Sequence, residues 1–242
     1  VGDPDYFDVP VSQLLSKERT KELAKTIDLK KATESTVVKP LELTTESRDT
    51  THYSIIDNEG KAVSNTYTLG YSFGSGVTIP GTGILMNNQM NNFAYRYGDK
   101  KERGRGASTG NRFEPGKNPM STMAPTMIFN KEGELVLVTG SPGGSLIPAA
   151  ILRVITGIID FDLDIGQATM LPRVHKDWPK TGILYERTVN SDVVRIINKR
   201  IGHKMTPEHT MGSTQSIHII DGVNYGYADL RRPGASVSSQ EN

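Results

Sequence analysis

Cysteine is absent from the 242 residues. That excludes disulfides, thiolate metal sites and a cysteine nucleophile, and it suits a bacterial cytoplasm and a periplasm alike. Long apolar runs are absent too. Stretches such as Ala149-Ala150-Ile151-Leu152 fall far short of the ~20 residues a bilayer span needs. Neither sign of charge is in excess: 28 basic and 27 acidic residues leave a net charge of +1, which gives no reason to expect a nucleic acid or acidic polymer as partner. The five histidines lack metal-ligand spacing such as His-Glu-x-x-His. The chain opens on Val1 rather than Met and has no signal-peptide pattern. It reads as a piece of a longer protein whose targeting signal would lie upstream.

What is present changes texture at Thr50. Residues 1–49 are charged and poor in strand formers. Within them Lys17 to Ile27 is predicted helical, with Ser16 as N-cap and Leu23 and Ile27 one turn apart, and residues 28–49 read as a polar linker. From Thr50 onward strand signals appear. Thr50–Asp57 and Ala62–Leu69 flank Asn58-Glu59-Gly60 as a hairpin. Residues 94–119 carry Gly, Arg, Lys and Asn without periodicity, the mark of a long loop of the kind that is functional or mobile. Thr126–Asn130 and Glu134–Thr139 are further strands, Ser145–Asp160 a buried helix, and Ser191–Ile201 a helix closed by Gly202. Thr214–Ile220 and Tyr225–Ala228 form a last hairpin. Strands, then helices, then strands predict an α+β fold with helices packed on antiparallel sheets.

The first hairpin has a chemical consequence. With its turn centred near Glu59, Thr50 stands opposite Thr68, and directly opposed residues have Cβ atoms roughly 4.5–5.5 Å apart. Two threonine hydroxyls then sit side by side at the open end, an arrangement also common as a plain cross-strand pair. A threonine hydroxyl needs a base to act as a nucleophile. His52 shares the face of Thr50, but no histidine is placed to serve. A free α-amino group on Thr50, with an ordinary pKa of about 7.7–8.0, would serve if the Asp49–Thr50 bond were cleaved. Between a strand and a helix lies Thr139-Gly140-Ser141-Pro142-Gly143-Gly144-Ser145. Its glycine N–H groups suit an oxyanion or carboxylate, and the same segment also serves as a tight turn; no Gly-Lys-Ser/Thr follows, which disfavours a phosphate loop.

Several of these segments carry a resemblance. Thr50-Thr51-His52-Tyr53-Ser54, Thr66-Tyr67-Thr68, Gly83 to Met90, Pro119 to Thr126, the glycine segment and Met211-Gly212-Ser213-Thr214-Gln215-Ser216 resemble γ-glutamyltranspeptidases, in that family's order and spacing. Gly2-Asp3-Pro4-Asp5 resembles the end of the family's large subunit. The resemblance implies the four-layer αββα sandwich of N-terminal-nucleophile hydrolases, incomplete without an upstream large subunit. Residues 1–49 would be the tail of that subunit and 50–242 the small catalytic subunit. It implies self-cleavage at Asp49–Thr50, Thr50 as nucleophile, Thr68 as its hydrogen-bond partner, and Gly143 and Gly144 as the oxyanion pair. Ser121 and Thr122 would hold the donor's α-carboxylate, and Gln89 its α-amino group. The loop from Ala94 to Pro119 resembles a lid.

Two positions depart from the family. Gly70 stands where it usually has Asn, and Asn92 where it has Asp; both would face the donor's amino-acid end. The resemblance implies no cofactor and no metal. It implies a γ-glutamyl donor such as glutathione, water or an amino acid or peptide as acceptor, the large subunit as partner, and export to the periplasm or beyond. Two other readings remain: an acylase of glutaryl, cephalosporin or poly-γ-glutamyl type using the same threonine, and an unprocessed non-catalytic relative.

Overall fold

The computed structural model describes residues 2–34, 49–95, 103–104, 109–177 and 182–240. Contacts group the chain into two compact units. One is built from Glu46–Asn88, Thr122–Arg173 and His209–Asn242, the other from Val1–Thr45, Gln89–Ser121 and Val174–Glu208. This grouping differs from the division expected at Asp49–Thr50, which concerns the covalent chain.

In the first unit, β1 (Thr50–Ile56) and β2 (Ala62–Thr68) form the expected antiparallel hairpin. Asp57 makes its turn: Oδ1 accepts from the N–H groups of Glu59 and Lys61 at 2.9 and 2.8 Å, and Gly60 supplies the left-handed residue at φ 80°. The strands β3 (Thr126–Phe129), β4 (Leu135–Thr139), β5 (Gln215–Ile220) and β6 (Val223–Ala228) make a sheet in the order β6-β5-β4-β3, all antiparallel. Asp221 and Gly222 join β5 to β6 with φ 50° and 76°, the two positive values a tight two-residue hairpin turn requires.

After β4 the glycine segment leads through a 3₁₀ turn, Gly144–Leu146, into α1 (Ile147–Ile159). Its buried residues Ile147, Ala150, Ile151, Val154 and Gly157 follow helical spacing and define one face. That face packs with α2 (Ile165–Met170) on the sheet: Leu137, Val154, Ile165 and Ala168 form the core, with Ile128, Ile158, Leu163 and Tyr227 around them. Gly157 lets the helices approach closely, since a Cβ there would meet the Ala168 methyl at 2.8 Å. The sequence reading missed α2, which is too short for periodicity to reveal. Its start signal is Asp164-x-x-Gln167, a reciprocal cap in which Asp164 Oδ1 accepts from Gln167 N–H at 2.8 Å. Val138 alternates to the face opposite Leu137 and is also buried. The hairpin lies against β4 and β5. Ser64 Oγ donates to Thr139 O at 2.9 Å, and Ser54 Oγ to Gln215 O at 2.9 Å.

In the second unit, a four-residue helix, Val11–Leu14, precedes the expected one, which runs Lys17–Lys25 with Ser16 Oγ accepting from Arg19 N–H; neither buries a residue. A three-stranded sheet of Val174–His175, Gly182–Glu186 and Lys204–Glu208 was not anticipated, and the last two strands are parallel. The expectation of antiparallel sheets is corrected here. A helix, Ser191–Ile196, connects those two strands, and only such a crossover brings a chain back in the same direction. That helix ends in a π-helical turn, Ile197–Ile201, before Gly202 at φ 93°. Within the glycine-rich stretch, Ala94–Tyr95 pairs with Arg103–Gly104, and Thr109–Asn111 is a 3₁₀ turn. Residues 96–102 and 105–108 of the expected lid, and 35–48 of the expected linker, lie outside the described residues. Among the described residues no helix is long and apolar enough to cross a membrane.

A buried ion pair fastens the C-terminal segment of the first unit. Arg173 Nη2 donates to Asp229 Oδ2 at 2.7 Å, with both side chains at 1% exposure or less. Arg173 also reaches Met211 O at 2.6 Å, and Asp229 accepts from the N–H groups of Thr214 and Arg231. Burial pushes the Asp229 carboxyl up, but Arg173, Arg231 and these amides outweigh it and hold its pKa below the ordinary value. Replacing Asp229 with Asn leaves the Arg173 charge buried and uncompensated. The expected cost is about 3–5 kcal/mol in urea unfolding. Glu22→Ala, which removes the exposed Lys25–Glu22 pair, should cost no more than about 1 kcal/mol.

Candidate active site

Thr50 opens β1 and is 4% exposed. The register pairs it with Thr68, as the turn arithmetic requires. The Thr68 hydroxyl donates to the carbonyl of Asp49 at 3.2 Å and accepts from Gly70 N–H at 3.0 Å. It therefore touches the acyl side of the Asp49–Thr50 peptide bond, a detail the cross-strand argument did not contain. Gly70 has φ +93°, and a Cβ there would crowd Asn88 at 3.3 Å. The backbone thus favours glycine at this position, and Gly70 offers an N–H rather than a side chain.

His52 shares the inner face of the hairpin with Thr50 and is buried. Its Nδ1 lies 2.7 Å from Thr66 Oγ1 and its Nε2 3.1 Å from Ser54 Oγ. Because the Ser54 hydroxyl donates to Gln215 O, it accepts from His52. That places the proton on Nε2 and makes Thr66 the donor to Nδ1. The ring is neutral: burial pushes its pKa down to about 4. Gly140 is the floor beneath it, since a Cβ at Gly140 would overlap the imidazole. His52 therefore ties the two strands of the hairpin together and packs on the start of the glycine segment.

That segment turns through Gly143 at φ 138° and Gly144 at φ 59°. The loop Met211–Thr214 packs on it. Ser141 Oγ donates to Pro142 O at 2.6 Å and accepts from Ser213 N–H at 2.9 Å, while Gly212 passes 3.2 Å from where a Gly143 Cβ would stand. Thr122 Oγ1 donates to Gly144 O at 3.0 Å, so this hydroxyl is attached to the glycine turn itself. Gln89, Asn92 and Ser121 belong to the other unit. There Asn92 is buried and its Nδ2 donates to Gln89 Oε1 at 2.7 Å, while Ser121 is exposed. Arg232 was not singled out from the sequence. Its Nη1 donates to Thr50 O at 2.6 Å across 182 residues of chain, a separation no local pattern could reveal.

Helices on an antiparallel sheet, with a threonine at the head of a hairpin laid against it, define an α+β protein of the N-terminal-nucleophile hydrolase class. A family model described as gamma-glutamyltranspeptidase matches residues 1–239, and the chain belongs to that family. It is 40% identical over 233 residues to the glutathione hydrolase proenzyme of Escherichia coli strain K12, covering 96% of this chain and 40% of that relative. Among solved structures it is similar to a threonine-to-alanine mutant of Helicobacter pylori γ-glutamyltranspeptidase, with 36% identity, a TM-score of 0.69, and coverage of 75% of this chain and 100% of that one. It is also similar to cephalosporin acylase from Bacillus halodurans, with 27% identity, a TM-score of 0.79, and coverage of 100% of this chain and 42% of that one. The chain thus spans about 40% of the length of the curated relative.

The neutral His52 predicts a pH dependence. Its folded pKa lies below the ordinary 6.5, so between pH 6.5 and about 4 the unfolded chain binds the extra proton. The stabilisation is complete above 6.5 and is lost as pH falls toward 4. The urea midpoint of the wild type should drop across that window, and the drop should be smaller in His52→Gln. An equal slope in both proteins would show that His52 is not the titrating group.

Proposed function

We propose that this chain is the catalytic part of an enzyme of γ-glutamyl transfer and hydrolysis, activated by cleavage of its own Asp49–Thr50 bond. The observation that carries the reading is the Thr68 hydroxyl on the Asp49 carbonyl, beside a buried Thr50 at the head of its strand. In self-cleavage, Thr50 Oγ1 attacks the Asp49 carbonyl carbon. The Thr68 hydroxyl stabilises the oxyanion, the C–N bond breaks, and the Thr50 nitrogen leaves as a free amine carrying the proton that the Thr50 hydroxyl gives up. Water then hydrolyses the resulting ester, giving Asp49 a carboxylate and returning the hydroxyl to Thr50.

The freed α-amine is the base in turnover. It accepts the Thr50 hydroxyl proton, directly or through water, as Oγ1 attacks the γ-carbonyl of the donor. Gly143 and Gly144 N–H groups stabilise the oxyanion, and Thr122 links the donor's carboxylate site to that turn through Gly144 O. The leaving amine takes the proton. Water or an amino-acid amine then releases the γ-glutamyl group from Thr50. Glutathione and related amides are the proposed donors, with no cofactor required.

A second reading, an acylase with the same threonine mechanism, is favoured by Asn92. It brings no charge to a donor ammonium, and its Nδ2 is engaged by Gln89. Loss of a charge-assisted bond weakens such a donor by about 1.5–3 kcal/mol, or one to two decades in affinity. The large subunit of the same precursor is the proposed partner. It would cover the outer face of the hairpin, where Tyr53, Ile55, Val63 and Tyr67 stand exposed.

Intact mass of the full-length product tests the processing step. Wild type should appear as two chains cut at Asp49–Thr50, and Thr50→Ala as one. Thr68→Val should slow cleavage by about 10²-fold, the usual effect of removing one oxyanion donor. A cut Thr50→Ala chain would sink the self-processing reading. Turnover of γ-glutamyl-p-nitroanilide should exceed that of glutaryl-p-nitroanilide, and the reverse order would favour the acylase.

A further inference from the structure

The stretch between Ala94 and Pro119 looked in the sequence like an unpatterned lid, yet it contains one of the most buried polar side chains of its unit. Asn111 closes the 3₁₀ turn Thr109–Asn111 and is fully inaccessible to solvent. Its Nδ2 donates to Asn92 O at 2.7 Å, and its Oδ1 accepts from Met120 N–H at 3.0 Å. One carboxamide therefore joins two backbone points, at Asn92 and immediately before Ser121. Asn92 in turn holds Gln89 Oε1 at 2.7 Å. Residues 111–113 run alongside 92–94: Ala94 bridges to Arg112, Phe113 N–H donates to Ala94 O at 3.3 Å, and the rings of Phe93 and Phe113 meet edge to face at 5.4 Å.

The chemistry of this position is narrow. It needs one donor and one acceptor on the same short side chain, aimed at a carbonyl and an amide. Aspartate keeps the acceptor but turns an oxygen toward the Asn92 carbonyl. An apolar residue leaves both backbone groups buried without their partner. The position also has a functional address. Gln89 and Asn92 would meet the donor's α-amino group, and Ser121 its α-carboxylate. These two groups lie on the same carbon of an amino-acid donor, so the spacing between the two protein elements decides whether both can bind at once.

We propose that Asn111 is the positioning residue of the donor site: by holding the Asn92 carbonyl and the Met120 amide in one carboxamide, it sets the spacing that lets the enzyme grip the ammonium and the carboxylate of one donor together. The inference rests on the reading given under Proposed function. It implies that Asn111 matters for donors carrying both groups and much less for donors carrying the carboxylate alone, such as a glutaryl amide.

The test compares wild type, Asn111→Ala and Asn111→Asp in the full-length protein with its large subunit. Self-cleavage at Asp49–Thr50 uses no donor site and should proceed in all three. For γ-glutamyl-p-nitroanilide, Asn111→Ala should lower kcat/KM at least tenfold, chiefly through KM, with kcat changed less than threefold. For glutaryl-p-nitroanilide the change in kcat/KM should stay below threefold. Asn111→Asp keeps the bond to Met120 and should show the same donor-selective loss; it carries the test alone if the alanine variant does not fold. Equal losses on both donors, or no loss on either, would overturn the role of Asn111 while leaving the enzyme reading intact. A wild type that cleaves itself and turns over neither donor would overturn both.

Discussion

The inner face of the first hairpin is where the structure is most constrained. Thr50, His52, Ser54, Ser64 and Thr66 are polar side chains turned inward, on a surface where most strands would place apolar ones. Their partners are the ends of neighbouring strands and one another: Thr66 to His52, His52 to Ser54, Ser54 to Gln215 O, Ser64 to Thr139 O. A buried polar group that loses its partner costs about 1–3 kcal/mol, so these bonds act together as a lock on register. A slip of one residue would turn the whole set outward and carry Thr50 away from Thr68. The precision that the proposed nucleophile Thr50 needs would thus come from side chains with no proposed part in the chemistry.

A second constraint comes from far along the chain. The Arg173–Asp229 pair is buried, and desolvating two charges is expensive; the bonds to Met211, Thr214 and Arg231 are what make it tolerable. What the pair fixes is a place. It pins the chain at 229, so that Arg232 arrives at the carbonyl of Thr50, and it pins the Met211–Thr214 loop, which packs on the glycine turn. Two parts of the proposed machinery, the head of the hairpin and the oxyanion turn, are thereby referred to one buried charge pair.

The residues proposed to face the donor show a different economy of design. Asn92, Gln89 and Asn111 are neutral amides that satisfy one another and the backbone. Amides give directional bonds without the desolvation cost of a charge, but they also give up the attraction a carboxylate exerts on an ammonium. A site built this way depends on geometry for selectivity. Gly70 fits the same pattern, since its left-handed backbone presents an N–H to Thr68 and no side chain to a substrate.

Much of this was legible beforehand, for local reasons. The hairpin, its turn and the Thr50–Thr68 register follow from residue alternation and from Asp57 and Gly60. The helix after Gly143-Gly144 follows from apolar spacing, and the last hairpin from Asp221-Gly222. Each depends on neighbours within a few residues. The short helix Ile165–Met170 and the parallel pair Gly182–Glu186 and Lys204–Glu208 were missed, because one is too brief for periodicity and the other is a pairing across an intervening helix. What only the tertiary structure decided are contacts between residues distant in sequence: the Thr68 hydroxyl on the Asp49 carbonyl, the neutral His52 above Gly140, Arg232 on Thr50, and Asn111 between Asn92 and Met120. The sequence by itself determined which residue types were available at the site and which strands would present them. Their hydrogen-bond partners required the folded chain, because a side chain's partner is chosen by what else is buried beside it, and burial is a property of the whole fold.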